Sequence, residues 1–112
     1  MAKKVFVVIT SRDKEVSAGV GIRYAFNAAT KPWMDEVKII VFGPSEEAAA
    51  HDTEIQAKLK DSMNAGIEVL FCKACSDEQG VTGILEEAGF KVIYVGSVIS
   101  QLLKDGWYSL TF

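Results

Sequence analysis

The sequence predicts an α/β fold: a three-layer α/β/α sandwich with a mainly parallel five-stranded sheet, forming a single domain over residues 1–112. Short apolar runs rich in β-branched residues alternate with longer amphipathic segments along the whole chain. Such alternation is typical of parallel strands joined by right-handed helical crossovers. With 112 residues, 49% of them hydrophobic and 24% charged, the chain has the composition of one globular domain.

The first half of the chain predicts two strands and two helices. The runs KVFVVIT (4–10) and EVKIIVF (36–42) are apolar and β-branched, as expected of strands buried on both faces. Between them, a helix is predicted over about 15–30 because apolar side chains share one face: Ala18, Ile22, Ala25, Phe26 and Ala29. A second helix follows the turn GPSEE, where Ser45 can cap it, and ends before Gly66. Its apolar stripe consists of Ile55, Leu59 and Met63.

The second half predicts the rest of the sheet. Three further strands are IEVLFC (67–72), KVIYVG (91–96) and WYSLTF (107–112), and SVISQLLKDG (97–106) is a short helix. The region 76–89 contains Gly80 and Gly83, which interrupt a helix. We therefore expect two short pieces of structure there rather than one continuous helix.

Charge and hydropathy exclude several classes of function. Twelve basic and fifteen acidic side chains give a net charge of −3, and no basic cluster is longer than Lys3-Lys4, so we expect no nucleic acid partner. The longest apolar run, Val5 to Ile9, is far shorter than the ~20 residues that span a bilayer, so we expect no membrane association. No secretory signal precedes it, and two thiols suggest a reducing compartment. The expected location is the cytoplasm.

The only two cysteines, Cys72 and Cys75, lie where the third predicted strand meets the following segment. In open parallel sheets, ligands and chemistry gather at the carboxyl ends of strands. The unpaired N–H groups of a helix start favour a thiolate over a thiol, and Lys73 adds to this effect. Asp77 and Glu78 oppose it. The two cysteines are therefore the candidate catalytic residues.

A structural zinc site and a thioredoxin-type fold both use CxxC motifs, and both fit this chain poorly. A structural zinc site needs four ligands, and only His51 remains after the cysteines; a partly buried, hydrogen-bonded histidine is the better interpretation. A thioredoxin-type fold would carry its CxxC after an early strand and a proline opening a later strand, whereas Pro32 and Pro44 both precede Cys72. We therefore predict no metal.

Nucleotide binding is also weakly indicated. The segment SAGVGIRYA contains Gly19 and Gly21, but the third glycine of a GxGxxG motif would fall at Tyr24. These glycines lie inside the first helix, where they permit close packing of the helix on the sheet. The entry GPSEE could receive an anion, but its two glutamates disfavour phosphate. No cofactor is predicted.

The strand GIEVLFC ends in a cysteine, and a glycine follows eight positions later (Cys72 to Gly80). In this feature the chain resembles the DsrE/DsrF-like family and its relatives, the YchN-like proteins and the Tus sulfur-relay subunits. The resemblance extends over nearly the whole chain: it includes the opening KVFVVIT, the turn VFGPS, the approach NAGIEVLFC and the closing GWYSLTF.

The resemblance implies a small sulfur-relay protein, a possible sulfurtransferase, in which Cys72 carries sulfane sulfur as a persulfide. The sulfur would come from a donor protein and pass to the thiol of an acceptor protein. Lys73 and Arg12, the latter in the loop after the first strand, are the candidates for binding the charged substrate. The family also implies assembly into trimers, hexamers or hetero-hexamers. For this chain we expect a homo-oligomer, a trimer or a hexamer.

Cys75 leaves two alternatives open. It could attack a Cys72 persulfide, release sulfide and leave a disulfide, which would make the protein a sulfur reductase or a redox sensor. If neither chemistry occurs, the chain is a non-catalytic oligomeric subunit. Large aromatic side chains near loops and chain ends fit an interface or the edges of the sheet: Trp33, Trp107, Tyr108 and Phe112.

Overall fold

The computed structural model of the protein, which describes residues 1–112, contains one five-stranded sheet. Its strands are β1 (Lys4–Ile9), β2 (Glu36–Val41), β3 (Glu68–Cys72), β4 (Lys91–Ile93) and β5 (Tyr108–Thr111). They lie in the order β4-β3-β2-β1-β5, and every neighbouring pair is parallel. The predicted fold class is confirmed.

Helical segments connect the strands. They are α1 (Lys14–Val16), a π-helical segment (Ser17–Ile22), α2 (Arg23–Thr30), α3 (Pro44–Ala50), α4 (Thr53–Asn64), α5 (Lys73–Gln79), α6 (Thr82–Glu87) and α7 (Gly96–Lys104). The first three form a continuous run that corresponds to the predicted first helix. The two short pieces expected in 76–89 are α5, which begins earlier, and α6; Gly80 ends α5 in the left-handed conformation at φ 71°. None of the helices has the length and apolar character needed to cross a membrane.

The predicted second helix is two helices. Asp52 ends the continuity, because its Oδ1 accepts hydrogen bonds from the N–H groups of Glu54 and Ile55 at 2.9 and 3.0 Å and so caps a new helix, α4. The prediction that Ser45 caps the helix is wrong. Gly43 precedes the first turn of α3, and the Ser45 hydroxyl instead donates to the Ile9 carbonyl at 2.6 Å, which ties α3 to β1.

The edge strand β4 is shorter than predicted. It pairs only with β3, in three residue pairs, the last of which joins Cys72 and Ile93. Because β3 ends at Cys72, the segment 94–96 has no neighbouring strand to pair with, and α7 begins at Gly96. The chain therefore turns into a helix where its pairing partner ends.

The sheet has two unequal faces. The larger core cluster, of 21 buried residues, lies between the sheet and the helices that contribute its members: the π-helical segment, α2, α3, α4 and α6. The opposite face carries α7, and the small core cluster on that side consists of Phe6, Val8, Ile40, Leu70, Cys72, Val95 and Leu102. These two clusters make the three layers, and Cys72 belongs to the thinner, α7 side.

Gly21 is the glycine that close packing requires. A Cβ at this position would collide with Ile9 Cδ1 and would lie 3.2 Å from the Phe112 ring. We expect Gly21→Ala to destabilise the protein by about 1–3 kcal/mol, as overpacking does. A Cβ added at Gly19 would have no atom within 4 Å. Gly19→Ala should therefore be neutral or stabilise the protein by at most ~1 kcal/mol. Urea unfolding of both variants measures the difference, and equal stabilities would contradict the close approach.

Candidate functional site

The two cysteines lie at the carboxyl end of the sheet, as predicted. Cys72 is the last residue of β3 and immediately precedes the first turn of α5, and Cys75 is the third residue of that helix. Both thiols are free. Cys72 is only 5% exposed, whereas Cys75 is partly exposed and packs against the small core cluster. The exposed side of the pair is therefore the Cys75 side.

A carboxylate completes the site. Glu46, the third residue of α3, is 0% exposed, and one of its carboxylate oxygens and both cysteine sulfurs all lie within 4.8 Å of one another. The Gly43 N–H donates to Glu46 Oε2 at 3.1 Å, while Oε1 has no hydrogen-bond partner. The site is thus formed by two thiols and one buried, incompletely hydrogen-bonded carboxyl group.

Strand order explains how Glu46 reaches the cysteines. β2 and β3 are neighbours in the sheet, with Val41 opposite Phe71, so α3 and α5 both begin at the same edge. The Gln79 amide donates to the Gly43 carbonyl at 2.9 Å and so joins the end of α5 to the start of α3. In the sequence, Glu46 has the pattern of an ordinary first-turn acid. The one feature of the sequence that could have indicated its place in the site is its position five residues after the end of β2. That position points to the cysteines only when β2 is known to lie beside β3.

The electrostatics of the site favour neutral forms. Burial raises the pKa of Glu46 from 4.5 to about 7; the Gly43 N–H and the longer contacts with the Cys75 thiol and the Cys72 backbone offset part of that rise. Burial also raises the pKa of Cys75, and the Cys72 side chain and the Glu46 charge raise it further. Cys75 is therefore a neutral thiol near neutral pH.

The two predicted substrate-binding cations lie in surface ion pairs. The Lys73 ammonium contacts Asp77 Oδ2 at 2.9 Å and lies 5.9 Å from the centre of the Tyr94 ring. The Arg12 side chain is 66% exposed and lies 4.0 Å from a Glu47 carboxylate oxygen. Their role in binding substrate stays a prediction.

The donor set is one ligand short of a structural zinc site. Two sulfurs and one carboxylate are acceptable zinc ligands, but closed sites use four. His51 is exposed at the end of α3 and is not a member of this group, so the interpretation of a partly buried histidine was wrong. A cleft of about 450 Å³ opens elsewhere, over the π-helical segment, α2 and α4, and its lining contains no cysteine.

The four aromatic side chains singled out in the sequence separate into two groups. Trp33 and Tyr108 are 57% and 54% exposed. Trp107 packs against the small core cluster and Phe112 against the large one. The first pair is thus available to an interface, and the second stabilises the subunit itself.

Comparison with known proteins identifies the fold. No protein-family model matches the chain, and no curated protein does. A conserved protein of unknown function from Bacteroides thetaiotaomicron has a similar structure, with a TM-score of 0.90 and 27% identity over 98% of this chain and 95% of that one. The ychN protein from E. coli gives a TM-score of 0.79 and 19% identity over 100% of both chains.

A third solved structure agrees with these two. A protein of unknown function from Methanobacterium thermoautotrophicum gives a TM-score of 0.79 and 14% identity over 98% of this chain and 99% of that one. All three similarities cover at least 98% of this chain, so the fold resemblance predicted from the sequence is confirmed. The chain has the YchN-like, DsrE/DsrF-like fold.

Proposed function

We propose that the protein is a sulfur-relay protein, which accepts sulfane sulfur as a persulfide on Cys72 and transfers it to an acceptor thiol. The observation that carries the proposal is the position of the Cys72 sulfur, at the carboxyl end of β3 beside a second thiol and a buried carboxyl group. The DsrE/DsrF-like fold supports it, because the resemblance found in the sequence implies sulfur relay at this cysteine.

The transfer needs two displacements. The Cys72 thiolate attacks the terminal sulfur of a donor persulfide, and the donor thiolate leaves. The acceptor thiolate then attacks the outer sulfur of the Cys72 persulfide and releases the Cys72 thiolate, so the protein returns to its starting state. Because Cys72 is almost fully buried, the persulfide is sheltered from solvent between these steps.

A second candidate function is favoured by Cys75. Its sulfur lies within 4.8 Å of the Cys72 sulfur, which places the two thiols side by side in the site. In this alternative, Cys75 attacks the inner sulfur of the persulfide, and the protein is a sulfide-releasing reductase. The two candidates share the loading of Cys72 and differ in the fate of the sulfur.

The partners follow from the same chemistry. We propose a donor protein that carries a persulfide, an acceptor protein with a thiol, and a cytoplasmic location in which the thiols stay reduced. The exposed side chains of Trp33 and Tyr108, together with an edge strand β5 whose residues are all exposed, support a homo-oligomer, as a trimer or hexamer.

Mass spectrometry of the reduced protein after anaerobic incubation with polysulfide tests the proposal. One added sulfur atom retained on the peptide that contains Cys72 is the result expected of a relay protein. A Cys72–Cys75 disulfide with released sulfide would instead identify the reductase. If neither product forms, both candidates are wrong and the non-catalytic subunit remains.

A further inference from the structure

One carboxylate oxygen of Glu46 is buried without a hydrogen-bond partner, and no contact within the fold explains this. The side chain is 0% exposed, and Oε1 has no hydrogen-bond partner although Oε2 accepts from the Gly43 N–H. An unpartnered polar atom in the interior is unfavourable, so such atoms are rare in stable folds. The polar groups nearest to this carboxyl group include the two sulfurs of the site.

Cys75 needs a base before it can react. A neutral thiol is a poor nucleophile. The surroundings of Cys75 raise its pKa and so keep its thiol neutral near pH 7. Lys73 does not serve as the base, since Asp77 binds its ammonium at 2.9 Å and raises its pKa. His51 lies at the opposite end of α3 from Glu46. Apart from Cys72, the titratable group that contacts Cys75 is Glu46.

We propose that Glu46 is the general base and acid that transfers the Cys75 proton when Cys75 attacks a persulfide on Cys72. This inference rests on the proposed loading of Cys72 and concerns the second candidate function, in which Cys75 resolves the persulfide. The Cys75 thiol gives its proton to the Glu46 carboxylate, and its sulfur bonds to the inner sulfur of the persulfide anion. The bond between inner and outer sulfur breaks, and the outer sulfur leaves with the proton from Glu46.

The step balances without a further reagent. A Cys72 persulfide anion and a Cys75 thiol become a Cys72–Cys75 disulfide and a hydrosulfide ion. The outer sulfur is reduced to sulfide, the two cysteine sulfurs are oxidised to the disulfide, and Glu46 ends as the carboxylate with which it began. Glu46 thereby determines whether the sulfur is kept for an acceptor or released.

The protonation behaviour of Glu46 suits this role. With a pKa of about 7, it populates both the acid and the base near neutral pH, which is the condition for efficient proton transfer. The titratable groups that face it are Cys72 and Cys75, and its other contact is the uncharged Gly43 N–H. On its own helix, Glu47 is at the surface beside Arg12.

Single-turnover disulfide formation tests the inference. Reduced protein is mixed anaerobically with polysulfide, quenched at intervals and analysed for the Cys72–Cys75 disulfide across a range of pH. We expect the wild-type rate to rise as Glu46 ionises near pH 7. Glu46→Gln should form the disulfide at least ~100-fold more slowly, since general acid–base catalysis contributes this much or more. It should also lose the rise near neutral pH, and Glu46→Asp should recover part of the rate.

Two controls separate the inference from the function on which it rests. Glu47→Gln makes the same change one residue away at the surface and should behave as wild type. Loading of Cys72 is measured in Cys75→Ser with and without Glu46→Gln, where no disulfide can form, and should be equal. Failure of both to load overturns the proposed function. Loading of the wild type without any Cys72–Cys75 disulfide leaves the proposed function standing and overturns the role of Glu46. Normal loading with a wild-type rate and pH profile in Glu46→Gln overturns the role of Glu46.

Discussion

A Cys72→Ser protein is expected to take up no sulfur from polysulfide, whereas a Cys75→Ser protein takes up one sulfur atom and retains it. The reason is the difference between the two sites. Under the proposed function, Cys72 at the end of β3 receives the sulfur. Cys75 is held as a neutral thiol by its surroundings. Without Cys75, nothing in the site can resolve the persulfide, so the loaded form should accumulate.

Intact-mass and peptide mass spectrometry after anaerobic polysulfide treatment measures this contrast. The two serine variants are matched in chemistry and lie three residues apart, so each is the control for the other. In both variants serine replaces the sulfur with a smaller oxygen atom. Circular dichroism spectra that match the wild-type spectrum would show that both variants fold. Loading of Cys75 in the Cys72→Ser protein would reverse the assignment of the two cysteines.

The wild-type protein is expected to lose about 2–3 kcal/mol of stability between pH 5 and pH 8, at about 1.4 kcal/mol per unit of pKa shift. Burial raises the pKa of Glu46 from 4.5 to about 7, so the folded protein binds this proton more tightly than the unfolded chain does. The stabilisation is complete below the unfolded pKa. It is lost as the pH rises through the folded pKa, because a buried carboxylate must then be charged.

Other carboxylates act in a different pH range. Asp52, Asp77 and Glu68 have lowered pKa values, caused first by hydrogen bonds from the Ile55 N–H, the Thr82 hydroxyl and the Lys38 ammonium, respectively. Their stabilisation is present above the unfolded pKa and is lost on acidification below about pH 4. The decline between pH 5 and pH 8 therefore belongs to Glu46.

Urea unfolding at several pH values measures this effect in the wild type and in Glu46→Gln. The glutamine keeps an oxygen that can accept from the Gly43 N–H but cannot become charged, so the variant should show a flatter profile and gain up to about 2–3 kcal/mol at pH 8. Glu47→Gln, at the surface, should retain the wild-type profile. A wild-type protein that is more stable at pH 8 than at pH 5 would contradict the destabilising effect of ionising the buried Glu46 carboxyl group.

Local pattern predicts most of the fold and both thiols of the candidate site, but not its carboxyl group. The apolar, β-branched runs are sufficient for all five strands, and the position of Cys72 follows from the end of one of them. The break at His51 is not predicted because the apolar stripe after it is regular, although Asp52 offers a capping side chain. The predicted length of β4 is too great, because strand ends depend on the partner strand and not on the apolar run alone.

The sequence does not predict Glu46 as a site residue, because its position beside the cysteines depends on the order of the strands. Alternation of strands and helices indicates parallel pairing but does not say which strands are neighbours. Only when β2 lies beside β3 does the first turn of α3 meet the first turn of α5. A glutamate in a first helical turn is common as a capping residue, so its sequence position alone gives no sign of a buried acid next to two thiols.

The three-residue pairing of β4 has a consequence for access to the Cys72 thiol. Cys72, which is 5% exposed, pairs with Ile93, the last residue of an edge strand that has one neighbour and three residue pairs. Detaching so short an edge breaks few contacts, so local opening there requires much less free energy than global unfolding. Under the proposed function, opening of this edge would expose the Cys72 thiol to a donor, and its closure would shelter the bound sulfur from water.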